Sequence, residues 1–152
     1  MREKALARRR IGGIEGAAFA IKVCISNPQP GPMAFTAQKT MYGGKLIAQG
    51  DAIFLFASEN ESGPGLVGRG IVNFAADGAR QPGIARQTPR VTLGVTCTAL
   101  AKRLLGRQHL RHFTNWQDGQ PGTELNFKLY RQATNKVIGI SAAARAFLDD
   151  FF

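Results

Sequence analysis

The sequence contains few cysteines, histidines, tryptophans and acidic residues. The shortage of cysteine argues against disulfides, and the shortage of histidine argues against a zinc site. The two cysteines, Cys24 and Cys97, lie on the polar and apolar faces of separate predicted strands. We therefore expect no disulfide and a reducing compartment. The two histidines, His109 and His112, have no third histidine and no Cys-x-x-Cys partner to complete a zinc site. We expect neither a metal nor another cofactor.

Long hydrophobic runs are also missing. No apolar stretch approaches the roughly 20 residues of a transmembrane helix, and no apolar segment typical of a signal peptide follows the basic residues 1–10. We expect no membrane partner and a cytoplasmic location. The length of 152 residues indicates one domain, residues 17–152. Residues 1–16 have no apolar periodicity, so we expect a basic, poorly ordered extension that folding does not require.

Positive charge greatly exceeds negative charge. Twenty Lys and Arg residues face ten Asp and Glu residues, which gives a net charge of +10. Residues 78–117 contain no acidic residue, and their basic residues are Arg80, Arg86, Arg90, Lys102, Arg103, Arg107 and Arg111. This excess predicts a polyanionic partner, most simply nucleic acid. The alternative is a solvated basic face that binds no ligand.

Alternation of apolar and polar residues predicts a chain made mostly of strands. The predicted strands are 18–26, 53–58, 66–72, 90–100, 125–133 and 136–140. Short helices are expected at 36–41 and 104–113, and Ser141 is expected to cap a final helix. Residues 77–89 are rich in Gly, Pro and Arg and predict an exposed loop. Six strands with short helices between them predict an α+β fold around a small, barrel-like sheet.

One short motif, Gly63-Pro64-Gly65-Leu66-Val67-Gly68, matches the GxGxxG pattern of dinucleotide-binding proteins. That pattern requires a helix to begin inside it, because the pyrophosphate binds at the helix N-terminus. The residues that follow, 66–72, have β-branched residues and glycines where a helix would start. We therefore interpret 53–72 as a β-hairpin whose loop spans 59–64.

The same hairpin, "GDAIFLFASENESGPGLVGRGIV", resembles the central hairpin of EVE domains and the "FLxFSVNxSGxFxGxA" stretch of YTH domains. The C-terminal "LYRQATNKVIGISAAARAFL" resembles the closing segment of EVE domains. Together the two resemblances cover residues 18–150. Both families share the PUA-like fold, a curved β-barrel with flanking helices, which the resemblance implies for this chain.

The resemblance also implies a function, because EVE and YTH domains bind a modified base in an aromatic-walled pocket beside a basic groove. A base is a flat π-surface that stacks on aromatic side chains while polar groups read its edge. By this analogy Trp116 is the stacking wall, and Phe35, Tyr42 or Phe113 is the second wall. The implied edge contacts are Ser58 and Asn60, and the implied opposite rim consists of Tyr130, Arg131, Gln132 and Asn135. The implied groove contains Arg103, Arg107 and Arg111.

Each implied residue has a structural alternative. Trp116 can cover the core, Ser58 and Asn60 can form a turn, and Arg131 can pair with Glu124 or Asp51. ASCH domains share the fold and include nucleoside amidohydrolases and ribonucleases, so a catalytic use of Lys39, Thr40, Lys45 and Glu59 by analogy is a second hypothesis. The expected "GxKxxExR" pattern is missing, which favours binding without catalysis and predicts no catalytic residues. A protein-interaction module without a nucleotide is the third hypothesis.

Overall fold

A computed structural model describes residues 18–152, so the predicted extension 1–16 lies outside the described residues. Six strands close into a barrel in the order β1–β3–β4–β5–β2–β6, and β6 pairs with β1. The strands are β1 (Ala18–Val23), β2 (Gly31–Met41), β3 (Ala52–Ala57), β4 (Gly65–Asp77), β5 (Arg90–Leu100) and β6 (Lys136–Ile140). β1 runs parallel to β3, and β2 runs parallel to β6.

Short helices cover one side of the barrel. They are α1 (Arg107–Leu110), α2 (Pro121–Leu125), which continues into a π-helical segment (Asn126–Tyr130), and α3 (Ala142–Asp149). Two 3₁₀ turns, Gly44–Leu46 and Glu59–Glu61, lie between strands. None of the helices within residues 18–152 combines the length and the apolar character that a membrane crossing requires.

The apolar residues form two cores because three of the strands are buried on both faces. Inward-facing residues of all six strands, such as Ile21, Leu55 and Leu93, fill the barrel. The opposite face of β1, β3 and β6 packs against the helices through residues such as Phe56 and Leu129. Since successive strand residues point to opposite faces, the continuous run AIFLFA of β3 serves both cores.

Several sequence predictions are confirmed. Strands 90–100 and 136–140 have the predicted bounds, and β3 and β4 form the predicted hairpin. Ser141 caps α3, since its Oγ accepts a hydrogen bond from the backbone N–H of Ala144 at 3.1 Å. The connection from residue 78 to residue 89 is exposed, apart from the half-buried Gln87.

Two element predictions are wrong. Residues 125–130 of the predicted strand 125–133 are helical, because Leu125 and Leu129 are also spaced for one helix face and Pro121 begins α2. The segment 36–41 belongs to β2 rather than to a helix. A bulge there interrupts the alternation, with Ala37 at a φ of 51°, and therefore hides the strand pattern.

The glycines of the GxGxxG motif allow close backbone approach. A Cβ at Gly63 would lie 2.5 Å from the carbonyl oxygen of Ala57. Gly65 has a φ of 95°, and a Cβ there would lie 2.4 Å from the carbonyl oxygen of Leu105. Gly63 therefore allows close packing within the hairpin, and Gly65 allows the hairpin loop to pack against the segment that leads into α1.

This packing role predicts the effect of Gly63→Ala. The added methyl group collides with backbone atoms inside the hairpin, so we expect the free energy of unfolding to fall by about 1–3 kcal/mol. Urea denaturation measures this loss. Unchanged stability together with lost nucleotide binding would instead support a phosphate-binding loop.

Candidate functional site

The implied site residues lie on two surfaces, one on each side of the π-helical segment. Tyr130, at its C-terminal end, faces the 3₁₀ turn that contains Glu59. Phe127 and the following Arg131 contact Trp116 instead. The two surfaces are therefore separate clusters that share one short segment of backbone.

The first surface is an exposed group of aromatic rings. Trp116 lies edge-on to Phe127 with ring centroids 5.4 Å apart, and Tyr42 lies 5.9 Å from Phe127 on a tilted plane. The guanidinium of Arg131 lies 5.5 Å from the Trp116 ring centroid and 4.9 Å from that of Phe127. Trp116 keeps 42% of its surface exposed, so it does not plug the core. Phe127 is the ring that contacts Trp116, and the sequence did not indicate this contact.

A cavity of about 280 Å³ opens beside these rings, and we name it the Trp116 cavity. Its polar wall includes Gln120, Glu124 and Lys128. Burial opposes the ionisation of Glu124, but hydrogen bonds from Ser141 and Lys128 outweigh it and hold the pKa of that carboxyl below its usual value. The cavity therefore combines aromatic faces with a carboxylate and an ammonium group.

The second surface is organised by Glu59. Its Oε2 accepts hydrogen bonds from the backbone N–H of Arg107 at 2.7 Å and from the Tyr130 hydroxyl at 3.0 Å. The Arg107 guanidinium donates to Asn60 Oδ1 at 2.9 Å, and Asn60 Nδ2 donates to the Ala133 carbonyl at 3.0 Å. These bonds connect the hairpin loop, α1 and the end of the π-helical segment.

Two buried oxygens of this surface have no hydrogen-bond partner among the described residues. They are Ser58 Oγ and Glu59 Oε1. Leaving a buried polar atom unpaired costs about 1–3 kcal/mol, so such atoms call for an explanation. Glu59 also lines an open cleft of about 390 Å³, which we name the Glu59 cleft. Its other lining residues are Gly63, Pro64, Leu104, Gly106, Arg107, Gln108, His109 and Arg111.

Two buried lysines lie behind the Glu59 surface. Lys22 and Lys136 are neighbours on β1 and β6 and are almost fully inaccessible. Lys22 Nζ donates to the Leu129 carbonyl at 2.6 Å, and Lys136 Nζ donates to the carbonyls of Gln132 and Thr134. Burial, together with the charge of Lys22, lowers the pKa of Lys136 to about 8.

The remaining implied residues have varied positions. Asn135 donates to Glu61 Oε1 at 2.8 Å, and the Gln132 side chain is exposed. Phe35 is buried inside the barrel, and Phe113 packs against the backbone of Gly122. Of the three rings considered for a second wall, Tyr42 alone is in contact with the Trp116 group, through Phe127.

The acid-free segment 78–117 does not lie along one groove. Strand β5 separates its basic residues, with Arg80, Arg86 and Arg90 at one end and the bases from Lys102 onward at the other. A strand of this length spans roughly 33 Å. Arg103 donates to Asp150 at 2.8 Å, whereas Arg107 and Arg111 line the Glu59 cleft.

Phe127 and Glu59 line the Trp116 cavity and the Glu59 cleft but are not among the pocket residues that the family resemblance implies. The sequence suggests Glu59 only as a catalytic residue of a hydrolase, because its hydrogen-bond partners Arg107 and Tyr130 are distant in sequence. Phe127 lies in the predicted strand 125–133, which is helical at this position. The Glu124–Lys128 spacing, a typical i,i+4 pair, was the available signal for a helix.

Solved structures share this architecture. The human THYN1 protein, solved in complex with DNA that contains 5-methylcytosine, superposes with a TM-score of 0.59 at 10% identity, over 86% of this chain and 94% of that one. The DUF55 domain of human thymocyte nuclear protein 1 gives 0.57 at 12% identity, over 86% and 95%. This chain has the PUA-like fold, a curved barrel with flanking helices.

A hypothetical protein from Leishmania major has the same fold, with a TM-score of 0.53 at 15% identity over 88% of this chain and 92% of that one. No protein-family profile and no curated protein matches the sequence. The fold implied by the resemblance to EVE and YTH domains is therefore confirmed by structure. At these identities the comparisons establish the fold alone.

The buried lysines predict a pH dependence of stability. The pKa of Lys136 is 10.5 in its ordinary state and about 8 in the folded chain, so the unfolded chain binds more protons between these values. Stability should therefore rise with pH across this window. Lys136→Met should flatten the rise in urea midpoints between pH 7.5 and pH 9.5.

Lys102→Met is the matched control, because Lys102 is exposed. Its pH profile should follow that of the wild type. The measurement stays below pH 10 because the buried Tyr130 has a raised pKa, and its retained proton lowers stability at higher pH. Equal slopes for both variants would show that Lys136 is fully charged in the folded protein.

Proposed function

We propose that this protein binds nucleic acid without chemical turnover and accommodates an unstacked or modified base against Trp116. The observation that carries the proposal is a half-exposed tryptophan that lines a cavity together with Phe127 and polar side chains. Unpaired bases stack on aromatic rings and on guanidinium planes. Trp116, Phe127 and Arg131 provide both kinds of surface.

Charge supports a nucleic-acid partner. The net charge of +10 favours polyanions, and Arg107 and Arg111 line the cleft on the other side of the π-helical segment. Phosphates held by these residues would orient a strand whose bases can reach the aromatic rings. A modified base is consistent with the THYN1 structure, which was solved with 5-methylcytosine DNA.

If Trp116 stacks on a base, replacing it should weaken nucleic-acid binding without destabilising the fold. Because the ring is partly exposed, Trp116→Ala should change the free energy of unfolding by no more than about 1 kcal/mol. Binding of a single-stranded oligonucleotide should weaken by roughly 1–3 kcal/mol, the usual value of one base–aromatic stack. Urea denaturation and fluorescence anisotropy measure the two effects.

The control for this variant is Phe74→Ala, since Phe74 is also exposed but lies on β4 outside the Trp116 cavity. We expect its binding to equal that of the wild type. A loss of about 3–5 kcal/mol in stability for Trp116→Ala, with unchanged binding, would identify the ring as a cover of the core.

The position of Arg111 in the Glu59 cleft predicts how the salt dependence of oligonucleotide binding responds to a local change of charge. Arg111 is exposed and lines the Glu59 cleft, so Arg111→Glu should weaken oligonucleotide binding and reduce the slope of log affinity against log salt by about 1. Arg86→Glu makes the same change of net charge at the far end of β5. It should reduce the slope by less.

Equal effects of the two reversals would indicate nonspecific attraction to the whole charged surface. A wild-type protein that binds no oligonucleotide at low salt would exclude nucleic acid as the partner.

A further inference from the structure

The unpaired oxygen of Glu59 carries an inference about ligand chemistry. Glu59 Oε1 is buried and lacks a hydrogen-bond partner among residues 18–152, while Oε2 of the same carboxylate accepts two hydrogen bonds. The group lines the Glu59 cleft. A carboxylate oxygen can only accept hydrogen bonds while it is ionised, so a complementary ligand must present an N–H or O–H donor.

The carboxylate is held in one position. The Arg107 backbone and the Tyr130 hydroxyl fix Oε2 at 2.7 and 3.0 Å. A Cβ at Gly106 would lie 2.7 Å from the same oxygen, which shows how closely the backbone packs on it. Oε1 therefore has a defined location, as a group that discriminates between ligands requires.

The rest of the cleft suits a planar group linked to an anion. His109 and the two arginines Arg107 and Arg111 line it. His109 Nδ1 accepts a hydrogen bond from the backbone N–H of Gly106 at 2.9 Å, which fixes the orientation of the imidazole. Imidazole and guanidinium planes stack on bases, and guanidinium groups bind phosphate.

We propose that the Glu59 cleft binds a nucleotide whose base carries an exocyclic amino group, with Glu59 Oε1 accepting a hydrogen bond from that amine. The inference rests on the proposed function and adds to it a second base position, in the Glu59 cleft. Cytosine presents an amine at position 4, and carboxylates accept from this group in protein–DNA contacts. Uracil presents a carbonyl oxygen at position 4. This oxygen is an acceptor like the carboxylate oxygen, so the two would repel each other and form no hydrogen bond.

The direct test compares cytidine and uridine monophosphates by isothermal titration calorimetry on the wild-type protein. We expect cytidine monophosphate to bind at least about 10-fold more tightly, the effect of one discriminating hydrogen bond. N4,N4-dimethylcytidine monophosphate lacks both amine protons and should lose this advantage. Because the change is on the ligand, this comparison does not depend on how any variant folds.

Glu59→Gln should reverse the preference. The glutamine oxygen can still accept hydrogen bonds from Arg107 and Tyr130, which leaves its NH2 group at the position of Oε1 to donate to the uracil carbonyl. Glu61→Gln is the matched control. Glu61 lies two residues away, is exposed and bonds to Asn135, so the wild-type preference should persist.

The outcomes distinguish failure of this inference from failure of the proposed nucleic-acid binding. Equal affinity for the cytidine and uridine nucleotides, with Trp116-dependent oligonucleotide binding intact, overturns the inference alone. Loss of the preference in the Glu61→Gln control as well as in Glu59→Gln also overturns it, because the effect would then be one of general charge. A wild-type protein that binds neither nucleotides nor oligonucleotides overturns both proposals.

Discussion

The carboxylate of Glu59 connects three segments that are distant in the sequence. It accepts from the backbone of Arg107 and from the hydroxyl of Tyr130, while its own turn follows β3 directly. Charge-assisted hydrogen bonds of this kind are shorter and stronger than neutral ones. The cost of burying the charge is offset only if its partners stay in place. Through these bonds the group joins the hairpin loop to the start of α1 and to the end of the π-helical segment, which borders both candidate surfaces.

Backbone contact makes this arrangement possible. Gly65 and Gly106 bring the hairpin loop and the start of α1 so close that neither position has room for a side chain. Gly65 also belongs to the GxGxxG pattern, which looks like a phosphate-binding loop. A glycine in a sequence indicates that some atom lies near the backbone, but it does not indicate whether that atom belongs to a ligand or to the protein.

The two surfaces have complementary chemistry. The Trp116 cavity provides aromatic faces with Lys128 and an ionised Glu124 at its edge. The Glu59 cleft is lined by cationic groups and by Glu59, whose Oε1 has no hydrogen-bond partner among residues 18–152. A single strand that crosses the π-helical segment would place phosphates and bases on the two sides in turn. The implied site residues therefore divide between two surfaces and do not line one pocket.

The sequence by itself determined the strands with regular alternation, β5 above all, together with the hairpin, the Ser141 cap and the excess of positive charge, because these features depend on local spacing and composition. It could not distinguish helix from strand at 125–133, where Leu125 and Leu129 satisfy both periods. Tertiary structure alone decided that Phe127 meets Trp116 and that Glu59 meets Tyr130 across 71 residues. Such pairs depend on how helices, loops and turns pack together in three dimensions, which no local pattern encodes.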